Sequence, residues 1–218
     1  MTKALGIIDA QRGFMPATEE FTPNYGFGEL PVANGHEIVP ILNRLIAACA
    51  LAGHRVFTTQ DWHPHRTAHF AAEDAAPNFV TTWPVHCVDG TLGAELHPDL
   101  QLPGSRERFI KGFDALERGE DDTSYSGYYA VDPVLGHSLP ELLEKHHVTE
   151  VLLGGLALDY CVGKTALDLR TKLGLDVIVA IDATRGIAPD SVDAMLDDFQ
   201  RAGVQTTTTD EWLQEFAA

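Results

Sequence analysis

Short, almost continuously apolar runs that stop on a charged residue recur along this chain, separated by stretches with helical periodicity. No other feature restricts the fold as strongly. Ala4–Asp9 (ALGIID) ends on a carboxylate, Arg55–Gln60 (RVFTTQ) is followed by Asp61, and Arg108–Lys111 ends on a lysine. Asp176–Asp182 (DVIVAID) repeats the pattern, and Glu150–Gly155 and Val204–Thr208 read as further strands. Apolar runs without in–out alternation belong to strands covered on both faces. Between them, His36–Ala52 places Ile38, Val39, Ile41, Leu42, Leu45, Ile46 and Cys49 at helical spacing, and Gly53 closes the helix. Further helices are predicted over Leu139–His147, Tyr160–Leu173 with Gly174 as its stop, and Asp190–Arg201, with a short one at the C-terminus. The stretch Trp62–Glu107, rich in Pro, His and Gly, reads as loops.

This order predicts an α/β, doubly wound, mainly parallel sheet with helices on both faces. Crossovers in such sheets are right-handed, so the strand C-terminal ends share one edge, and ligands bind there. Asp9, Asp61, Lys111 and the approach to Cys161 all fall at or just beyond strand ends, so residues remote in sequence converge at that edge. With no internal repeat and no linker-like segment, residues 1–218 read as a single domain.

Composition excludes several classes. A formal net charge of −17 disfavours nucleic acid or an anionic membrane as a partner. The 44% hydrophobic content argues against disorder. No apolar run approaches the roughly 20 residues of a membrane span, and Met1-Thr2-Lys3 leads directly into the first strand without a signal peptide. Three cysteines, an odd and low number, read as reduced thiols of a cytoplasmic protein. A homo-oligomer is compatible with all of this.

Asp61 and His63 flank Trp62, and on extended backbone both side chains point the same way. Together with His86 they make a facial set for one divalent ion, with zinc, iron and manganese equally suited. His65 and His69, on the same loop, are further candidate ligands. Cys161 opens a helix after a sheet strand, where the helix dipole and free N–H groups lower a thiol pKa and offer an oxyanion hole. Asp9 is a candidate acid/base and Lys111 a cation to hold charge and geometry beside the thiol. Cys49, on an apolar helical face, reads as core, and Cys87 as packing. Gly154-Gly155 fits neither a phosphate loop nor a dinucleotide fingerprint.

The segments IIDAQRGF, TTQDWHP, His69-Phe70, WPVHCVDGTLGAELHP, FIKG and GGLALDYCVGKTALD, in that order, resemble the nicotinamidase/pyrazinamidase branch of the isochorismatase-like cysteine hydrolases. The resemblance spans nearly the whole chain. It implies a six-stranded parallel sheet and catalysis by Asp9, Lys111 and Cys161. It also implies a cis Leu156-Ala157 peptide that aims the N–H groups of Ala157 and Cys161 at the oxyanion. Metal ligands carry over as Asp61, His63 and His86, with His69 as a fourth used by some members. Phe14 and Trp83 match residues that hold a pyridine ring, and Tyr125 and Tyr160 are further candidates for the pocket wall. The implied substrate is nicotinamide, converted through a thioester to nicotinate and ammonia, with pyrazinamide as a close analogue. Cys161 argues against isochorismatase activity, and the Asp61/His63/His86 set argues against amidases of carbamoyl or ureido compounds. Another small amide, or a non-catalytic binding role on the same scaffold, are the competing readings. An acidic stretch, Asp114–Asp122, is expected to be a solvated loop or a lid.

Overall fold

The computed structural model describes residues 2–113 and 123–216, so the acidic stretch 114–122 lies outside the described residues. Among the described residues there are six strands: β1 (Thr2–Ile8), β2 (Arg55–Asp61), β3 (Glu107–Lys111), β4 (Val148–Leu156), β5 (Asp176–Arg185) and β6 (Gln205–Thr207). They form one sheet in the order β3-β2-β1-β4-β5-β6, every neighbouring pair parallel. The α-helices of the described residues are α1 (Ile38–Leu51), α2 (Leu139–Lys145), α3 (Gly163–Leu173), α4 (Pro189–Ala202) and α5 (Thr209–Phe216).

The sheet separates two apolar layers, which is why its strands lack alternation. On one face Ile38, Leu42, Leu45 and Ile46 of α1 and Trp212 of α5 pack with Leu5, Ile7 and Leu152. On the other, Leu139 and Leu142 of α2, Ala166 and Leu169 of α3, and Met195 and Phe199 of α4 pack with Ile8, Phe57 and Leu153. Among the described residues, no helix is long and apolar enough to cross a membrane.

Sequence expectation and structure part at element ends. Strand β5 runs on to Arg185 rather than stopping at Asp182, because Thr184 and Arg185 pair with Gly155 and Leu156 of β4 after a register shift. Asp182, which reads locally as a terminator, instead accepts hydrogen bonds from the backbone N–H and hydroxyl of Thr209 at 2.8 and 3.0 Å, fixing the start of α5. Tertiary pairing overrides the local turn chemistry.

Strand order reverses between β1 and β4, the crevice position where open α/β sheets bind ligands. The two strands close tightly there. Gly155 has φ +132°, and a Cβ at that position would lie 1.9 Å from the Ile8 carbonyl oxygen. Gly155→Ala is therefore expected to cost more than about 4 kcal/mol, at the extreme of single substitutions, measured as the loss of unfolding free energy in urea.

Candidate active site

Each strand end at the crevice delivers one polar group. Asp9 follows β1 with φ +47°, its N–H donating to the Thr59 carbonyl at 3.2 Å. Asp61 and Lys111 stand opposite one another as the last residues of β2 and β3. Cys161 arrives after β4 in a wide turn, Leu158–Val162, before α3 begins at Gly163. The sequence reading put Cys161 in the first turn of a regular helix. The observed turn is looser because the Ala157 carbonyl accepts from both Tyr160 and Val162 N–H at 3.1 Å, inserting an extra residue. The Leu156-Ala157 peptide is cis.

The Lys111 ammonium joins these groups. It lies 2.8 Å from Asp9 Oδ2, donates to Asp61 Oδ1 and to the Ser124 carbonyl (2.9 Å), and approaches Cys161 Sγ at 3.4 Å. Asp9 Oδ1 accepts the Thr59 hydroxyl at 2.6 Å. All three ionisable partners and Lys111 itself are buried. Burial disfavours the ammonium, yet the Asp61 and Asp9 carboxylates hold its pKa well above the ordinary lysine value. Burial also works to raise Asp61, but Lys111 and then His63 overcome it and keep this carboxyl ionised far below the usual range. For Asp9 burial wins over Lys111 and its pKa rises. Burial likewise pushes the Cys161 thiol well up, with Lys111 opposing. The arrangement is a neutral thiol beside a carboxyl of raised proton affinity, with the local charge balanced by one buried cation.

A second cluster adjoins the first through Asp61, whose Oδ2 lies 3.7 Å from His63 Nε2. One ring nitrogen from each of His63, His69 and His86 falls within 4.8 Å of the others, and all three side chains are buried. His63 Nδ1 is 2.9 Å from the Gly112 carbonyl and His86 Nδ1 is 2.7 Å from the Pro84 carbonyl. Carbonyls only accept, so both Nδ1 atoms carry the proton and both Nε2 lone pairs point elsewhere. His63 Nε2 is buried with no hydrogen-bond partner. Burial, followed by the neighbouring His63, lowers the His86 pKa to about 3, so this imidazole stays neutral. Gly112, at φ +73°, leaves room for the His63 ring, which a Cβ would meet at 2.6 Å. Three buried imidazoles gathered beside an ionised carboxylate suit a divalent transition metal. His65 is exposed and lies outside this cluster. Cys87 is buried with its thiol on the Gly93 carbonyl at 3.5 Å, and Cys49 lies in the core, where burial raises its pKa to about 12.

Between the two clusters opens a mostly apolar cavity of about 390 Å³, mouth included, lined by Phe14, Trp83, Tyr125, Tyr160 and the aliphatic Leu30, Val32 and Ile187. Cys161, Ala157, Asp61, His69 and His86 complete its floor. Its size is near the low end for small-molecule sites. Trp83 Nε1 donates to the Tyr125 hydroxyl at 2.8 Å, and the Trp83 and Tyr160 rings meet edge-on at 5.2 Å, so the aromatic walls brace one another.

Three supporting residues escaped the sequence reading. Gln11 grips Asp61 from both sides, accepting its N–H at 2.8 Å and donating to its carbonyl at 2.9 Å. Glu29 accepts the Cys87 N–H at 2.8 Å, steadying the residue after His86. Asp159 accepts the backbone N–H groups of Ile187 (3.0 Å) and Ala188 (3.2 Å), tying the Cys161 turn to the cavity wall. Gln11 had a readable signal, an amide two residues past a strand-end acid; Glu29 lies in a loop with no local cue.

A family model described as an isochorismatase domain matches residues 3–211. A nicotinamidase of Acinetobacter baylyi is 36% identical over 194 residues, covering 84% of this chain and 81% of that protein. A nicotinamidase/pyrazinamidase of Mycobacterium tuberculosis is 32% identical, covering 93% and 97%. The crystal structure of a Pyrococcus horikoshii pyrazinamidase in complex with zinc superposes with a TM-score of 0.76 at 30% identity, over 95% of this chain and 99% of that one.

Replacing Lys111 by methionine would leave the buried carboxyl groups of Asp61 and Asp9 side by side without their cation. The expected loss is about 3–5 kcal/mol of stability, read from urea unfolding. Lys111→Arg, which keeps the charge, is expected to lose less.

Proposed function

The chain belongs to the isochorismatase family, and within it we propose that this member hydrolyses nicotinamide to nicotinate and ammonia, with pyrazinamide as a second substrate. The observation that carries this reading is the meeting of Cys161, Asp9 and Lys111 at the floor of an aromatic cavity, beside three buried histidines.

Cys161 is the nucleophile. Its Sγ attacks the carboxamide carbon while its proton passes to Asp9, whose raised proton affinity suits it to that transfer. The N–H groups of Ala157 and Cys161 receive the negative charge that develops on the carbonyl oxygen. Asp9 then gives its proton to the departing nitrogen, the C–N bond breaks, and ammonia leaves a thioester on Cys161. A water molecule, losing a proton to Asp9, attacks the thioester, and nicotinate departs as the thiol is restored. Lys111 stays charged throughout and holds Asp9 and Cys161 in register. Phe14, Trp83, Tyr125 and Tyr160 clasp the ring, and Trp83 and Tyr125 are rigid in doing so because they are bonded to each other.

Asp61, His63 and His86 would hold one divalent ion, zinc, iron or manganese, with His69 within reach as a fourth ligand. Bound there, the ion supplies a Lewis-acid site that orients a substrate carrying a ring nitrogen. The support for zinc is the complex of the Pyrococcus relative. Three unpaired, buried thiols support a reducing, cytoplasmic setting.

Cys161→Ala is expected to lower ammonia release from nicotinamide by more than about a thousandfold while elemental analysis still finds the metal. Retained hydrolysis would remove Cys161 from the nucleophile role. His86→Ala, in contrast, is expected to lose metal and raise KM, since its part is to orient substrate. A variant that keeps its full metal content would refute the ligand assignment.

A further inference from the structure

Cys87 joins the segment that carries His86 to the one that carries His63. Its φ is +45°, in the left-handed region that residues with side chains seldom adopt. In that conformation its carbonyl accepts the His63 N–H at 3.0 Å. Its own N–H, directly after His86, donates to Glu29 Oε2 at 2.8 Å. The peptide that follows one candidate ligand is therefore tied to the backbone of another. Cys87 is buried, so leaving its N–H without an acceptor would carry a desolvation cost.

The place of the Glu29 carboxylate is built from several segments. Gly28 N–H donates to the Met15 carbonyl and Leu30 N–H to the Gly13 carbonyl, each at 2.9 Å, so the backbone is fixed on both sides of Glu29. A Cβ on Gly93 would overlap the carboxylate group, and one on Gly13 would lie 2.8 Å from Oε2. Gly93 belongs to a 3₁₀ turn, Leu92–Ala94, and has no positive φ. Its missing side chain therefore serves space for Glu29 rather than backbone freedom.

We propose that Glu29 is a positioning residue for the metal site, holding His86 and His63 in ligand geometry through the Cys87 peptide before an ion binds. The inference rests on the metal-ligand part of the function proposed above and extends it to a residue outside the ligand set. Each imidazole has its own local tether, His63 on the Gly112 carbonyl and His86 on the Pro84 carbonyl. Those tethers orient the rings; the separation of the rings depends on their backbones, and Cys87 is where the backbones meet. Without the Glu29 acceptor the Cys87 peptide relaxes out of its left-handed conformation. That single movement takes the carbonyl off His63 and shifts the chain at His86.

The experiment titrates the zinc-loaded protein with a chromogenic chelator of known zinc affinity. Glu29→Ala is expected to weaken zinc binding by about 10–100-fold with every ligand intact. Glu29→Gln keeps an oxygen for the Cys87 N–H and is expected to recover most of that loss. Gly93→Ala, which displaces the carboxylate without removing it, is expected to weaken zinc as Glu29→Ala does. In the Glu29→Ala background the same substitution meets no carboxylate and is expected to cost little more. Lower stability alone would not make the effect of Gly93→Ala on zinc depend on Glu29. Zinc held as tightly by Glu29→Ala as by the unsubstituted protein would overturn the inference, as would equal losses from Gly93→Ala in both backgrounds. An unsubstituted protein that binds no zinc would overturn the ligand set and this inference together. Absent nicotinamide hydrolysis in a protein that titrates as expected would remove only the amidase reading.

Discussion

One ammonium group holds this molecule's chemistry together. Lys111 reaches from the edge strand of the trio β3-β2-β1 across their carboxyl ends and meets two buried carboxyl groups and a buried thiol. Burying one charge alone is prohibitive, and burying two carboxylates side by side is worse. The cluster exists because each charge is the condition for the others. Asp61 stays ionised because of Lys111, Lys111 stays protonated because of Asp61 and Asp9, and the one carboxyl that burial does raise is the one next to the thiol. Proton affinity is thereby graded across a few ångströms by geometry rather than by residue type.

Asp61 divides its two oxygens between two tasks. Oδ1 belongs to the lysine and Oδ2 faces His63, so the Lys111 cluster and the histidine cluster share a single side chain. Gln11 clamps the backbone of that side chain, and both Nδ1–H groups of His63 and His86 are committed to carbonyls before any ion arrives. Such prior commitment is what keeps a ligand set from rearranging on binding. Under the proposed function, a single carboxylate in both clusters makes one strand end, the end of β2, set both the ring's orientation and the charge near the scissile group.

Much of this was readable from the chain. The strand-end placement of Asp9, Asp61 and Lys111 followed from apolar runs that stop on a charge, and the parallel, doubly wound architecture followed from their alternation with helices. His69 and His65 could not be separated by pattern. Only the path of the loop shows that His69 turns inward to stack on His63 at 4.7 Å while His65 faces solvent. Likewise the wide turn at Cys161 rests on a carbonyl shared by two N–H groups, a matter of backbone geometry that side-chain identity does not encode. Gln11 and Glu29 act on backbone atoms far away in sequence, and periodicity carries no record of such partners.

The depth of Cys161 has a further consequence for the life of the molecule. It is 5% exposed and borders the cavity, whereas Cys49 and Cys87, at 1% and 0%, are sealed in the interior. Under the proposed reaction, a peroxide or other thiol oxidant approaches Cys161 through the same cavity that would admit the substrate. An occupied cavity shields the enzyme from oxidative inactivation, and an idle molecule is the vulnerable one.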